Sequence, residues 1–280
     1  MRFLHVADTH LGYSAYSKLD ENGYNQRETD VYAAFAQVVD LALREDVDFV
    51  LHAGDLFDSV RPTNRAISFA VGQILRLTRA GIPFIVISGN HSTPKLRETG
   101  SVFRVLEHLD GVHTVYKGMY EKVVIGDCVI HAVPHCLDVP TLREEIKKIE
   151  IEPTAAYNIA TFHLGIIGID VFRTGEFNEQ VVETSLLPKD MDYVAFGHYH
   201  KYTEVAGNAC YAGSTERFSF SEVEDEKGCI VVDLERGERK FHRLSIRPMV
   251  ELEPVDCADL REEDVESFIE KRLKNADVKG

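Results

Sequence analysis

Apolar residues arrive along this chain in short runs, and each run stops on a residue able to do chemistry. Phe3 to Ala7 ends in Asp8-Thr9-His10, Val47 to Ala53 in Gly54-Asp55, and Ile82 to Ser88 in Gly89-Asn90-His91; Ala160 to Phe162 ends in His163, and Tyr193 to Phe196 in Gly197-His198-Tyr199-His200. Short runs rich in Val, Leu, Ile and Phe read as buried strands of a parallel sheet. Between them the spacing turns helical. Val31, Ala34, Phe35, Val38 and Ala42 share one face of a helix expected from about Thr29 to Arg44. Ile67, Ala70, Val71, Ile74, Leu75 and Thr78 share a face of a second helix, with Pro62 in its first turn and Gly81 just past its end.

Strand, helix, strand, helix in alternation means a parallel sheet with covering helices. A helix from about Ser101 to Leu109 is stopped by Asp110-Gly111, and the pattern then changes. His113 to Val133 reads as short strands with Lys-Gly and Gly-Asp turn signals, suggesting antiparallel hairpins. Leu142 to Ile149 is a charged helix, Tyr157 to Leu164 and Asp192 to Phe196 are buried strands, and Gly228 to Leu244 is a hairpin turning at Arg236-Gly237-Glu238. Two mixed sheets packed face to face with helices outside accommodate these elements, an α/β sandwich of four layers, α/β/β/α, over residues 1–245. From Ser245-Ile246-Arg247-Pro248 the character shifts to a strand-like Met249-Val250-Glu251-Leu252 and a helix near Arg261 to Leu273. A strand and helix of about 30 residues make no core of their own. Residues 246–280 therefore read as the opening of a second, small α+β domain, truncated if the natural chain continues.

Composition narrows the function. Lys and Arg number 31 against 46 Asp and Glu, a formal net charge of -15, which argues against a surface that grips nucleic acid all over. A local basic strip or bound cations can still reverse the field at one place. No run of about 18 apolar residues suggests a membrane span, and the first residues enter a strand directly, so the expected compartment is the cytoplasm. Cys128, Cys136, Cys210, Cys229 and Cys257 form no Cys-x-x-Cys pair, which fits reduced core thiols better than a zinc knuckle or a disulfide framework.

The strand-end residues are Asp, Asn and His, an oxygen and nitrogen donor set for manganese, iron or zinc. Asp55, with two oxygens, can span a pair of ions ~3.5 to 4 Å apart, as two-metal hydrolytic sites require. One ion would take Asp8, His10, Asp55 and His200, and the other Asp55, Asn90, His163 and His198. His91, beside ligand Asn90, is the candidate general acid. His5 and His52, inside apolar runs, are expected in the core or behind the ligands.

Asp8-x-His10, Gly54-Asp55-x-x-Asp58, Gly89-Asn90-His91, His163 and Gly197-His198-x-His200, in this order, resemble the calcineurin-type metallophosphoesterases. Within that superfamily, Asp8-Thr9-His10-Leu11-Gly12-Tyr13, Gly54-Asp55-Leu56-Phe57-Asp58 and Gly213-Ser214-Thr215-Glu216-Arg217 resemble the double-strand-break repair nucleases known in bacteria as SbcD, with their archaeal and eukaryotic relatives. The similarity covers essentially the whole chain, and the tail from Ile246 resembles the start of that family's DNA-capping domain. It implies a nuclease using two Mn2+ ions, exonucleolytic from 3′ ends of duplex DNA and endonucleolytic on single strands. It also implies a homodimer acting on DNA ends with a coiled-coil ATPase of the SbcC type. Ser92 stands where the family usually has Asp, which bears on how His91 is oriented.

Tyr13 is a candidate for stacking on a base, or an ordinary packed tyrosine. Lys18, Arg27 and Arg61 are phosphate-contact candidates, and Arg217 is either one more or a structural partner of the surroundings of Glu216. Two rivals stand beside the nuclease: a phosphatase or cyclic-nucleotide phosphodiesterase of the same superfamily, and a scaffold that binds DNA ends without cutting. Protein phosphatases of this type carry Arg-Gly soon after the Gly-Asp block and Glu after Gly-Asn-His, where this chain has Asp58-Ser59 and Ser92.

Overall fold

Parity along the strands decides which layer each side chain enters, because successive residues of a strand point to opposite faces. The computed structural model describes residues 1–93, 100–169, 179–252, 254, 256–257 and 261–275. In chain order these form β1 (Arg2–Val6), α1 (Gln26–Arg44), β2 (Phe49–His52), α2 (Asn64–Arg79), β3 (Phe84–Ile87), α3 (Phe103–Leu106) and β4 (Val112–Val115). There follow β5 (Glu121–Ile125), β6 (Cys128–Val133), α4 (Val139–Lys147), β7 (Tyr157–His163), β8 (Gly165–Ile166), β9 (Val181–Val182) and β10 (Tyr193–Gly197). The chain closes with β11 (Thr203–Ala206), β12 (Ala209–Tyr211), β13 (Gly228–Asp233), β14 (Glu238–Arg243) and α5 (Glu262–Asn275).

Two six-stranded sheets result, with orders β14-β13-β1-β2-β3-β4 and β11-β12-β10-β7-β6-β5, beside a small β8-β9 pair. Phe3, Phe49, Leu51, Ile85 and Ile87 point inward and meet Ile130, Ile159, Tyr193 and Ala195 of the second sheet. Their neighbours Leu4, Val6, Val50, Phe84 and Val86 point outward, onto Val31, Phe35 and Val38 of α1 and Ile74 of α2. On the far side, Phe162, Val194 and Phe196 pack against Leu142 and Ile146 of α4. Runs without a polar face are thus buried on both sides, and the four-layer α/β/β/α sandwich is the observed architecture.

Local chemistry sets the helix ends. Asn25 accepts from the backbone N–H groups of Arg27 and Glu28 at 3.0 and 3.3 Å, which starts α1 at Gln26, ahead of the expected Thr29. Thr63 caps α2 by accepting from Ala66 N–H at 3.1 Å, so Pro62 lies just outside that helix, not in its first turn. Gly81, with φ of 80°, follows the last turn as expected. Asp138 caps α4 at its own start, accepting from Thr141 N–H at 2.8 Å. That moves the helix forward from the expected Leu142.

Three expectations change. The helix placed from Ser101 to Leu109 is a single turn, Phe103–Leu106. The stretch read as antiparallel hairpins divides: β4 joins the first sheet parallel to β3, and only β5 and β6 form an antiparallel hairpin, in the second sheet. Turn signals mark where a strand ends, not which sheet receives the next one. Residues 249–252 are not a strand, since an extended segment needs a neighbouring edge to pair with. The linker before them is tied down by Arg247, whose guanidinium donates twice to Asp30 of α1, at 2.8 and 3.0 Å.

His5 and His52 are fully buried. His5 Nδ1 lies 2.9 Å from the Tyr193 hydroxyl in the layer between the sheets. His52 Nε2 lies 3.0 Å from the Thr9 hydroxyl, which donates its own proton to the Leu56 carbonyl, so the ring is the donor in that pair. Burial pulls both imidazoles down to about 3. Among the described residues no helix is long and apolar enough to cross a membrane.

Candidate metal centre

The register of β1 and β2, Val6 against His52, continues past the strand ends. Asp8 N–H donates to Gly54 C=O at 3.0 Å, His10 N–H to Asp55 C=O at 3.0 Å, and Leu11 N–H to Leu56 C=O at 2.9 Å. Two loops are thereby zipped together at the carboxyl edge of the sheet, where open α/β sheets present their functional groups. Of the seven non-glycine residues with positive φ among the described residues, four are Asp8, His10, Asp55 and His198. That concentration of unusual backbone at one place is what a functional site held by its surroundings looks like.

The second sheet brings the other half. His163, at the end of β7, sets Nδ1 2.9 Å from the Ala53 carbonyl, which fixes the proton there and turns Nε2 to the centre. Asn90 Oδ1 lies 3.0 Å and Asp55 Oδ2 3.1 Å from that Nε2. His198 gives its backbone N–H to both oxygens of Asp8, at 3.1 and 3.0 Å. Its ring is 5.3 Å from that of His163, with Nε2 3.5 Å from Glu179 Oε1. His10 Nε2 faces His200 Nε2 at 3.2 Å.

Such an arrangement calls for positive charge at its middle. Two oxygens converge on one imidazole nitrogen, and two further imidazole nitrogens point at each other, so a proton or a cation must sit between them. Ligand atoms of Asp8, His10 and His200, of Asp8, Asp55 and His163, and of His10, Asp55 and His91 each lie within 4.8 Å of one another. The donor set and the sharing of Asp8, His10 and Asp55 among these groups fit divalent cations.

Electrostatics agree with that demand. Burial pushes the Asp55 carboxyl up, yet His163, and behind it His10 and His91, hold it well below the usual carboxylate range. Burial pulls His163 down, but Asp55 and Asp8 outweigh it and raise the ring to about 9. His163 therefore stabilises the metal-free fold fully below its unfolded pKa near 6.5, and this contribution is lost as the pH rises through about 9. His5 and His52 work in the opposite sense: their neutral buried state costs stability as the pH falls from 6.5 toward 3. The metal-free chain should accordingly melt highest near pH 6 to 7, and thermal melts in chelator across pH 4 to 9 should trace that maximum. A midpoint still climbing to pH 9 would contradict the protonated His163.

His91 Nδ1 lies 2.9 Å from the Asp58 carbonyl, which supplies the orientation that Ser92 does not. Ser92 is buried, with its hydroxyl 3.5 Å from the Phe57 carbonyl. His91 N–H donates to Asp55 Oδ1 at 3.0 Å, and its ring stands edge-on to His10 at 4.7 Å.

Of the residues expected to meet DNA, Lys18 and Arg61 are exposed on the loops after β1 and β2. Tyr13 is packed on Phe218, and its hydroxyl donates to the Phe218 carbonyl at 2.9 Å. Arg27 and Arg217 are buried. Arg27 binds Asp30 and the Arg217 carbonyl, and Arg217 donates to the carbonyls of Glu222 and Asp225 at 3.1 and 3.2 Å. A guanidinium spent on backbone inside the fold is not presented to phosphate, so both act as braces.

Sequence reading passed over Glu222 and the Asp58 carbonyl. Glu222 Oε1 lies 3.0 Å from His200 Nδ1, and although burial raises its carboxyl, His200 and Lys227 bring it down to about 2. In sequence it is one of four acids in Glu222-Val223-Glu224-Asp225-Glu226, with no spacing that singles it out or ties it to His200.

The fold and this convergence of carboxylates and imidazoles define a metal-dependent phosphodiesterase, and the family model for calcineurin-like phosphoesterases matches residues 1–202. The chain is 30% identical over 98% of its length to the DNA double-strand break repair protein Mre11 of Sulfolobus acidocaldarius, covering 71% of that protein. It is 33% identical over 99% of its length to the protein of the same name from Thermoplasma acidophilum, covering 74% of it. The Methanococcus maripaludis protein of that name is 34% identical over 81% of this chain, which spans only 60% of that relative. The chain therefore belongs to the Mre11 family of calcineurin-like phosphoesterases. One solved structure, 12% identical, matches with a TM-score of 0.51 over 87% of this chain and 99% of its own, a likeness of fold.

Proposed function

We propose that the chain is a two-metal DNA nuclease of double-strand-break repair, acting on DNA ends as a 3′-to-5′ exonuclease on duplex and an endonuclease on single strands. The observation that carries this reading is the convergence of Asp8, His10, Asp55, Asn90, His163 and His200 where the carboxyl edges of the two sheets meet, in a chain whose similar proteins are named for break repair. Asp8, His10, Asp55 and His200 would hold one ion, and Asp55, Asn90, His163 and His198 the other, with Mn2+ as the metal. When bound, such ions supply Lewis-acid activation of water and of the phosphodiester.

The chain's own groups do the rest. Asp8, locked by the His198 N–H, and Asp55, locked by the His91 N–H, present fixed carboxylates. His91, with Nδ1 committed to Asp58, handles a proton at Nε2 and delivers it to the leaving oxygen. Lys18 and Arg61, exposed on the loops that follow β1 and β2, would meet the phosphate backbone, with Tyr13 on the first of these loops.

The same reading assigns residues 246–280 to the opening of a DNA-capping domain. In support, α5 leaves Phe268, Ile269 and Leu273 between 37% and 57% exposed, an apolar stripe of the kind a domain core covers. It also makes the chain a cytoplasmic homodimer working with an SbcC-type coiled-coil ATPase. For the dimer, Val105 on α3 is 47% exposed beside Ile67 and Val102 in an open cleft and is the candidate contact, whereas its neighbour Leu106 is buried in the core.

Incubation with 3′-labelled duplex DNA and, separately, with a phosphopeptide, each with Mn2+, tests the substrate class. Nucleotide release from the duplex is expected. Phosphate release from the peptide alone would transfer the assignment to a phosphatase.

A further inference from the structure

Behind His200 lies a buried ion pair with no evident part in packing. Glu222 and Lys227 are 5% and 1% exposed, and Lys227 Nζ sits 2.6 Å from Glu222 Oε2. The same ammonium donates to the His200 carbonyl at 2.8 Å and to the Ser214 hydroxyl at 3.0 Å. Ser214 in turn gives its backbone N–H to the His200 carbonyl at 3.0 Å. Glu222 itself is anchored, since its carbonyl accepts from Arg217 Nε at 3.1 Å and Oε2 accepts from Phe218 N–H at 3.3 Å. One lysine thus grips the backbone of His200 and the carboxylate that meets its ring.

The consequence falls on one nitrogen. With Oε1 3.0 Å from Nδ1, Glu222 requires the His200 proton at Nδ1, and Nε2 is left as a lone-pair donor aimed at His10 Nε2, 3.2 Å away. A carboxylate accepting from the far nitrogen fixes the tautomer and makes the near nitrogen a better ligand. A buried ion pair contributes little net stability compared with an apolar pair of the same volume, so its location against a candidate ligand ring argues for use at the site. At His163 the Nδ1 hydrogen bond goes instead to the neutral Ala53 carbonyl at 2.9 Å, with the nearest carboxylate oxygen, Asp8 Oδ1, at 3.9 Å.

We propose that Glu222, held by Lys227, is a positioning residue that strengthens one of the two metal sites selectively, the one built from Asp8, His10, Asp55 and His200. This rests on the two-ion reading above. The experiment is isothermal titration of the metal-free chain with Mn2+, comparing the parent with the double variant E222Q/K227M, which removes both charges of the pair and leaves Asp225, 3.7 Å from Lys227 Nζ, to Lys201 at 3.5 Å, and with a melt in chelator as the check of folding.

Two Mn2+ are expected for the parent. The double variant should keep one site at parental affinity and weaken the other by about 10- to 100-fold. Should that variant melt below the assay temperature, Glu222→Asp, which keeps a charge beside Lys227 but draws it back from His200 by one methylene, is expected to give the same split. Both sites at parental affinity, or both weakened equally, would overturn the role given to Glu222. A parent that binds fewer than two Mn2+ would instead overturn the two-ion reading itself.

Discussion

Replacing His91 with Ser is expected to lower the rate of DNA cleavage by about 10²- to 10⁴-fold, the range for loss of a general acid, while Mn2+ uptake and DNA binding persist. The reason lies in how the residue is divided between backbone and ring. Its N–H holds Asp55 Oδ1 at 3.0 Å, and that contact is made by the backbone, so the Asp55 carboxylate stays in place. The ring is oriented by the Asp58 carbonyl at 2.9 Å, and only the ring is lost. Cleavage of labelled duplex, Mn2+ titration and DNA binding in chelator separate the outcomes. His91 also falls into a cluster with His10 and Asp55 whose ligand atoms lie within 4.8 Å. A His91→Ser chain that loses metal and cleavage together would therefore make His91 a ligand in its own right.

Much of the site is readable in sequence because parallel strands deliver their last residues to one edge. Once Val6, Ala53 and Ser88 are recognised as ends of buried strands, Asp8, Asp55 and Asn90 fall together at the edge of one sheet, and Phe162 and Phe196 do the same for His163 and His198 in the other; the facing of the two sheets joins the halves. The assignment of layers follows equally well from parity, as Phe3 and Leu4 illustrate by entering different cores. Sheet membership does not: β4 and β5 are separated by a short turn yet belong to different sheets, and nothing in their composition says so. Basic residues mislead for a related reason. Arg217, which the Gly-Ser-Thr-Glu stretch leaves open between a phosphate contact and a structural partner, takes the structural role, its guanidinium consumed by carbonyls. Glu222 is invisible because its partner His200 is distant in sequence and the pair is made by a turn with no periodicity of its own.

A single methyl group at Gly89 is expected to abolish the metal centre. A Cβ built there would stand 2.2 Å from Asp55 Oδ1, 2.5 Å from its Cγ and 2.7 Å from His163 Nε2, distances no side chain tolerates. Asp55 cannot retreat, since Oδ1 accepts from His91 N–H and Oδ2 lies 3.1 Å from His163. His163 cannot swing away either, with Nδ1 fixed on the Ala53 carbonyl. Gly54 guards the same ring from the other side, where φ is 104° and a Cβ would meet His163 Nδ1 at 2.2 Å. Gly89→Ala must therefore displace the carboxylate proposed as the ligand common to both ions. Cleavage should fall to background and Mn2+ affinity by more than about 100-fold, at a stability cost of about 1–3 kcal/mol typical of overpacking. Gly72, in α2, has nothing within 4 Å of its own Cβ position, so Gly72→Ala should leave metal uptake untouched and raise stability by about 0.5–1 kcal/mol through helix propensity. Titration and melting of the two variants side by side decide the matter: a Gly89→Ala chain that still binds two Mn2+ at parental affinity would mean that Asp55 is not the shared ligand, because no other group is pressed so hard by that methyl.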